Sequence, residues 1–144
     1  MNKNNEPVYH AFIDGAASGN PGDAGVGVVI YKDNEVFLKK SIYIGSTTNN
    51  VAEYMALLEL LNLAKENKIK KITVYTDSEL LERQLNGMYK VRDKKLKNLY
   101  YEVMDYKKII DFNVLHIGRE KNKEADKLAK NASKMNKNKT YYEN

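Results

Sequence analysis

The chain has 144 residues and a formal net charge of +5, from 24 Lys and Arg against 19 Asp and Glu, and contains no cysteine. That length suits one domain with a core of its own, without disulfides or thiolate-bound metal to staple it. No run approaches the roughly 20 apolar residues of a membrane span, and the opening "MNKNNEPVYH" carries no hydrophobic signal region. The expectation is a soluble cytoplasmic protein, monomeric by default, whose basic surplus favours polyanions and nucleic acid first. Many small Lys-rich proteins nonetheless bind nothing acidic.

Residues 1–6 are polar and expected to fray. "VYHAFID" (8–14) is rich in β-formers and predicts a strand, and "GAASGNPGDAG" (15–25) spaces Gly and Pro as turns do. "VGVVIYK" (26–32) and "EVFLKKSIYIG" (35–45) predict two more strands, with "DN" at 33–34 as a tight hairpin. A long helix follows from about 50 to 67. Next come a strand over 70–77, a short helix over 78–87 closed by Gly87, and a basic loop over 88–95. A helix over 96–109, a strand over 111–118 and a helix over 122–134 complete the pattern, and the tail to 144 is polar. No internal repeat or interdomain linker is visible, so the domain is expected to span 1–144, with its core at about 8–134.

The order β-β-β-α-β-α-α-β-α predicts an α/β fold with a mixed sheet. Three hairpin-connected strands are followed by parallel strands reached through right-handed crossovers. In such sheets the working groups collect at the carboxyl ends of the parallel strands.

Four carboxylates fall at that edge. Asp14 and Asp77 end strands, while Glu53 and Asp126 sit in first helical turns. Glu53 is the odd one, because it lies in line with Leu57, Leu60 and Ala64 on an apolar helical face. Each acid has a simpler reading. Asn50 could cap the long helix with Glu53 reaching back, and Asp77 could cap the helix after it. Asp126 could answer its helix dipole, and Asp14 could serve the turn at Gly15. Together, four acids at one edge cannot all ionise unaided. A hard divalent cation with oxygen ligands, such as Mg²⁺, resolves the conflict. Two such ions roughly 4 Å apart can activate a water and stabilise the leaving oxygen of a phosphodiester. The lack of Cys and of a His pair at ligand spacing argues against zinc.

Four segments carry a resemblance. "FIDGAASGNPGDAGVGVVI", "TTNNVAEYMAL", "VYTDSELL" and "HIGREKNKEADKLA" are similar, in order and spacing, to motifs of the type 1 ribonucleases H. The similarity covers about 8–134. It implies a five-stranded mixed sheet flanked by helices. It also implies Mg²⁺- or Mn²⁺-dependent endonucleolytic cutting of the RNA strand in RNA/DNA hybrids by two metal ions, leaving 5′-phosphate ends. By the same resemblance Asp14, Glu53, Asp77 and Asp126 are the metal ligands. Gly15 and Asn20 then touch the RNA strand, Asn49 and Asn50 straddle the two strands in the minor groove, and Thr48 meets a DNA phosphate. Capping remains an alternative for Asn49.

The chain departs from the family pattern in two places. Members often carry a flexible histidine on the loop before the last acid. Here His116 stands at the counted position but within a predicted strand. Arg119, in the loop, resembles a subgroup with the form H-x-x-R-E-x-N-x-x-A-D, in which arginine serves instead. Arginine binds phosphate bidentately but does not exchange protons. Second, "GMYKVRDKKLKN" leaves no room for the extra basic helix of well-known members. Lys90 and Lys95, with Arg92, Lys94 and Lys97, would grip phosphates from a short loop, or that loop is simply solvated. His10 is expected to be structural.

Other classes compete with this reading. A catalytically weak or inactive nucleic-acid-binding module would be favoured by loss of one of the four acids, and all four are present. A sugar-kinase-type ATPase needs two such domains, and transposase cores use a different acidic pattern. The preferred metal, and whether double-stranded RNA is also a substrate, stay open.

Overall fold

Ala11 and Ile13 are fully buried, whereas His10 and Phe12, which alternate with them, are partly exposed and ringed by aromatics. That period-2 alternation marks the first strand as central, covered differently on its two faces. The computed structural model describes residues 6–135. Residues 1–5 of the segment expected to fray, and the expected polar tail beyond Met135, lie outside the described residues.

Among the described residues, nine regular elements follow in chain order: β1 (Tyr9–Ala17), β2 (Gly22–Lys32), β3 (Glu35–Thr47), α1 (Asn49–Glu66), β4 (Lys71–Thr76), α2 (Glu79–Leu85), α3 (Lys94–Asp105), β5 (Asp111–His116) and α4 (Lys123–Ser133), with 3₁₀ turns at Tyr106–Lys108 and Arg119–Lys121. The sheet order is β3-β2-β1-β4-β5. β1, β2 and β3 pair antiparallel, and β1-β4 and β4-β5 pair parallel. This is the predicted mixed sheet.

The predicted hairpin at 33–34 is present. Asp33 and Asn34 both take positive φ (51° and 69°), the conformation of a type I′ turn between two twisted strands. The predicted stop at Gly87 is present as well: at φ +79° its N–H donates to the Gln84 carbonyl and that of Met88 to Arg83.

The segment 15–25 departs from the prediction. It is mostly strand, with Ala17 opposite Ala24 and only 18–21 outside the ladder. Gly15 and Gly25 of this segment, and Gly27 just beyond it, serve close packing as much as turning. A Cβ on Gly15 would fall 2.2 Å from the Ala52 carbonyl carbon of α1, and one on Gly27 would fall 2.3 Å from the Ala125 carbonyl oxygen of α4. Gly15 pairs with Val26 and Asp14 with Gly27, and paired residues share a face. So α1 lies on one face of the sheet and α4 on the other, both close to the carboxyl end of β1. The core fills the α1 side: Ile13, Val26, Val28, Ile30 and Val74 meet Leu57, Leu60, Leu61 and Ala64.

Candidate active site

Asp14 lies on β1 opposite Gly27, one residue past the last β1-β4 pair, Ile13 with Thr76. Asp77 directly follows β4. The two parallel strands therefore deliver two carboxylates side by side as they part. Glu53 arrives from the opposite face. Thr48, not Asn50, caps α1, its Oγ1 accepting from the Val51 N–H at 3.3 Å. The Asn50–Glu53 capping box is therefore not formed. The Glu53 Oε1 instead accepts the Gly15 N–H at 3.0 Å, which aims it across the sheet edge. Asp77 does not cap α2 either; Ser78 does, accepting from Leu81 at 3.2 Å.

Oxygens of Asp14, Glu53 and Asp77 all lie within 4.8 Å of one another. Asp14 is 4% exposed, and the crowding shows in its proton affinity. Burial first, then the charge of Asp77 and a hydrogen bond with Asp126, push its carboxyl up to about 8. Glu53 is raised as well, by burial and by the charges of Asp14 and Asp77, against the Gly15 N–H and the Arg119 guanidinium that lower it. Asp126, in the first turn of α4, completes the group from the other face, held by Lys130 Nζ at 3.2 Å. Clustered anionic oxygens without sulfur or imidazole are the donor set of a hard divalent cation. The residues present thus fit such an ion.

These acids line a cleft of about 360 Å³ together with Gly15, Asn49, Asn50, Arg119 and Lys130. Asn20, Thr48, Asn50 and Lys95 line a neighbouring cavity of about 500 Å³ between the start of α1 and α3. Asn49 is not the α1 cap. Its Oδ1 accepts the Ala17 N–H at 3.0 Å, and its own N–H donates to Asn20 Oδ1 at 3.0 Å, locking the β1-β2 turn to α1. His116 is the last residue of β5, exposed and outside the residues lining the cleft. Lys90 lies in the exposed loop between α2 and α3, which holds no further helix. His10 stacks on Tyr31 at 5.2 Å, on the aromatic face beside Phe12.

The comparisons with known proteins bear on this arrangement. A family model described as reverse transcriptase-like matches residues 12–132. Ribonuclease HI of Halobacterium salinarum is 36% identical over 125 residues, 85% of this chain. The chain belongs to the type 1 ribonuclease H family. The crystal structure of ribonuclease H1 from Halobacterium salinarum superposes with a TM-score of 0.84 at 35% identity, covering 87% of this chain and 96% of that one. LC11 ribonuclease H1, solved in complex with an RNA/DNA hybrid, gives 0.81 at 40% identity over 86% and 95%. The chain spans 63% of the length of the halobacterial ribonuclease HI and 34% of a bifunctional protein of Mycobacterium tuberculosis.

Against the ribonuclease H motifs, two residues of the site went unremarked in the sequence. Lys130 stands four residues after Asp126, the i,i+4 spacing of a helical ion pair, and that spacing was a readable signal. Asn122, the N of "REKN", has no role assigned by the motif. Its side chain is 1% exposed and reaches Asp77.

Proposed function

We propose that this chain is a divalent-metal-dependent endoribonuclease that hydrolyses the RNA strand of RNA/DNA hybrids, leaving 5′-phosphate and 3′-hydroxyl ends. The observation that carries this reading is the convergence of Asp14, Glu53 and Asp77 within 4.8 Å, in a cleft also lined by Asp126, in a ribonuclease H family member. The hybrid complex of the LC11 relative supports the substrate class.

Asp14, Glu53, Asp77 and Asp126 would hold two Mg²⁺ or Mn²⁺ ions. Bound there, these supply Lewis-acid stabilisation of the phosphodiester and a more acidic water. The rest of the work falls to the chain. Gly15 lets the backbone come close to a ribose. Asn49 and Asn50 present amides to the groove, where the 2′-hydroxyl distinguishes RNA from DNA. Asn20 touches the RNA strand beside Gly15, while Thr48 and Lys95 face a phosphate of the DNA strand in the second cavity. Arg119, which already acts on Glu53 across the cleft, binds a phosphate beside the scissile one, and His116 is at most an auxiliary. Lys90 adds a long-range, salt-sensitive attraction.

The test uses one end-labelled RNA strand paired with DNA, or with RNA, and incubated in Mg²⁺, Mn²⁺ or EDTA beside Asp77→Asn. Metal-dependent cutting of the hybrid that the variant lacks is the expected result. Cutting of the RNA duplex as well would widen the substrate class. Retention of the hybrid in a gel shift without cutting in either metal would replace the enzyme with a binding module.

A further inference from the structure

Asn122 occupies the residue before α4, where asparagine ordinarily accepts an N–H of the first turn. Here it makes no capping bond. The side chain turns inward instead, where it is 1% exposed. Its Nδ2 donates to the Ile13 carbonyl at 2.9 Å and to Asp77 Oδ2 at 3.2 Å. Its Oδ1 is buried with no hydrogen-bond partner among the described residues.

That arrangement is costly and therefore informative. A buried acceptor without a donor gives up its hydration and gains no bond in exchange. Turning the amide over would not relieve it, because Oδ1 would then face two oxygens. The orientation is fixed by the two acceptors, and the orphan oxygen is what remains. The two acceptors are themselves telling. Ile13 immediately precedes Asp14, and its partner Thr76 immediately precedes Asp77. The amide thus sits where β1 and β4 part and ties the strand end bearing one carboxylate to the other carboxylate. Only an amide supplies two donors from one atom at this reach. Aspartate supplies none, serine one.

We infer that Asn122 is a positioning residue of the active site: it forgoes the α4 cap so that its Nδ2 can fix the plane of the Asp77 carboxylate against the end of β1. This rests on the reading of the carboxylates as a cation site. Groups that orient a metal ligand matter nearly as much as the ligand, with losses of roughly 10–100-fold in affinity or activity on removal.

The experiment measures Mn²⁺ binding to the intact protein by the EPR signal of free Mn²⁺, alongside single-turnover cleavage of a hybrid and hybrid affinity in EDTA. Asn122→Ala and Asn122→Asp are compared with the parent and with Ser133→Ala. The last loses an α4 hydrogen bond, Ser133 Oγ to the Lys130 carbonyl, without touching Asp77. Asn122→Ser, which keeps one donor, serves if alanine does not fold. The Mn²⁺ midpoint of Asn122→Ala is expected to rise roughly 10–100-fold, with a cleavage loss of the same order and hybrid affinity within about twofold. Ser133→Ala should keep the parental midpoint. If Asn122→Ala melts earlier but keeps the parental midpoint and rate, Asn122 only ties α4 to the sheet and the inference falls. If the parent itself binds no Mn²⁺, the cation-site reading falls and takes this inference with it.

Discussion

Replacing Asp14 with asparagine should stabilise the metal-free protein while destroying its activity. Burial first, then the charge of Asp77 and the contact with Asp126, push the Asp14 carboxyl from 3.8 up to about 8. A carboxyl raised by folding binds its proton more tightly in the folded state. Stability is therefore fully present below pH ~4 and is lost as pH rises through about 8. At about 1.4 kcal/mol per tenfold change in proton affinity, the cost at pH 7 has a ceiling of ~4 kcal/mol. Asparagine removes the titration but keeps the size, and its amide fits the old hydrogen bonds imperfectly, so about half the ceiling, ~2 kcal/mol, should survive. For a chain of this length that is a Tm gain of roughly 6–8 °C. Thermal unfolding in EDTA from pH 4.5 to 8.5 provides the assay, read as the difference between variant and parent so that titrations common to both cancel. The variant's advantage should be absent at the acid end and widen steadily as pH rises toward about 8, and added Mg²⁺ should rescue the parent alone. Parallel curves, or a variant less stable than the parent at pH 8, would refute the electrostatic account of this site.

Three further outcomes follow from the geometry. Gly27→Ala puts a Cβ 2.3 Å from a carbonyl oxygen of α4 and should lower stability by about 3 kcal/mol in urea unfolding, whereas Gly45→Ala, with open space but φ +85°, should cost only about 1 kcal/mol. Lys95→Ala should lower the slope of log Kd for the hybrid against log salt by about one, by filter binding at several salt concentrations. Arg119→Ala should slow cleavage at least roughly tenfold, the scale of one charged hydrogen bond, while His116→Ala, outside the cleft lining, should stay within about twofold of the parent.

The order of elements and the four acids were legible from the sequence because both depend on local rules. Alternation in 8–14, the Asp33–Asn34 turn and the leucine face of α1 each state their structure within a few residues. Glu53 was legible as an anomaly on that apolar face. What the acids do for one another is not a local property. Whether Asp77 caps a helix or joins a cluster depends on Ser78 taking the cap and on β1 lying parallel beside β4. Likewise, the glycines at 15 and 25 read as turn formers and Gly27 as one residue of a strand, and only the approach of α1 and α4 to within contact of the sheet reveals all three as packing sites. Asn122 is the plainest case. Its place at the start of the last predicted helix says nothing of its side chain, and only the tertiary fold, by bringing Ile13 and Asp77 within 3.2 Å of one nitrogen, draws it inward. The sequence by itself determined the elements, their order and the carboxylates, because backbone preference and hydrophobic period are short-range. The tertiary structure decided which oxygens meet, because pairing across 38 or 109 residues of chain is set by sheet register and helix packing.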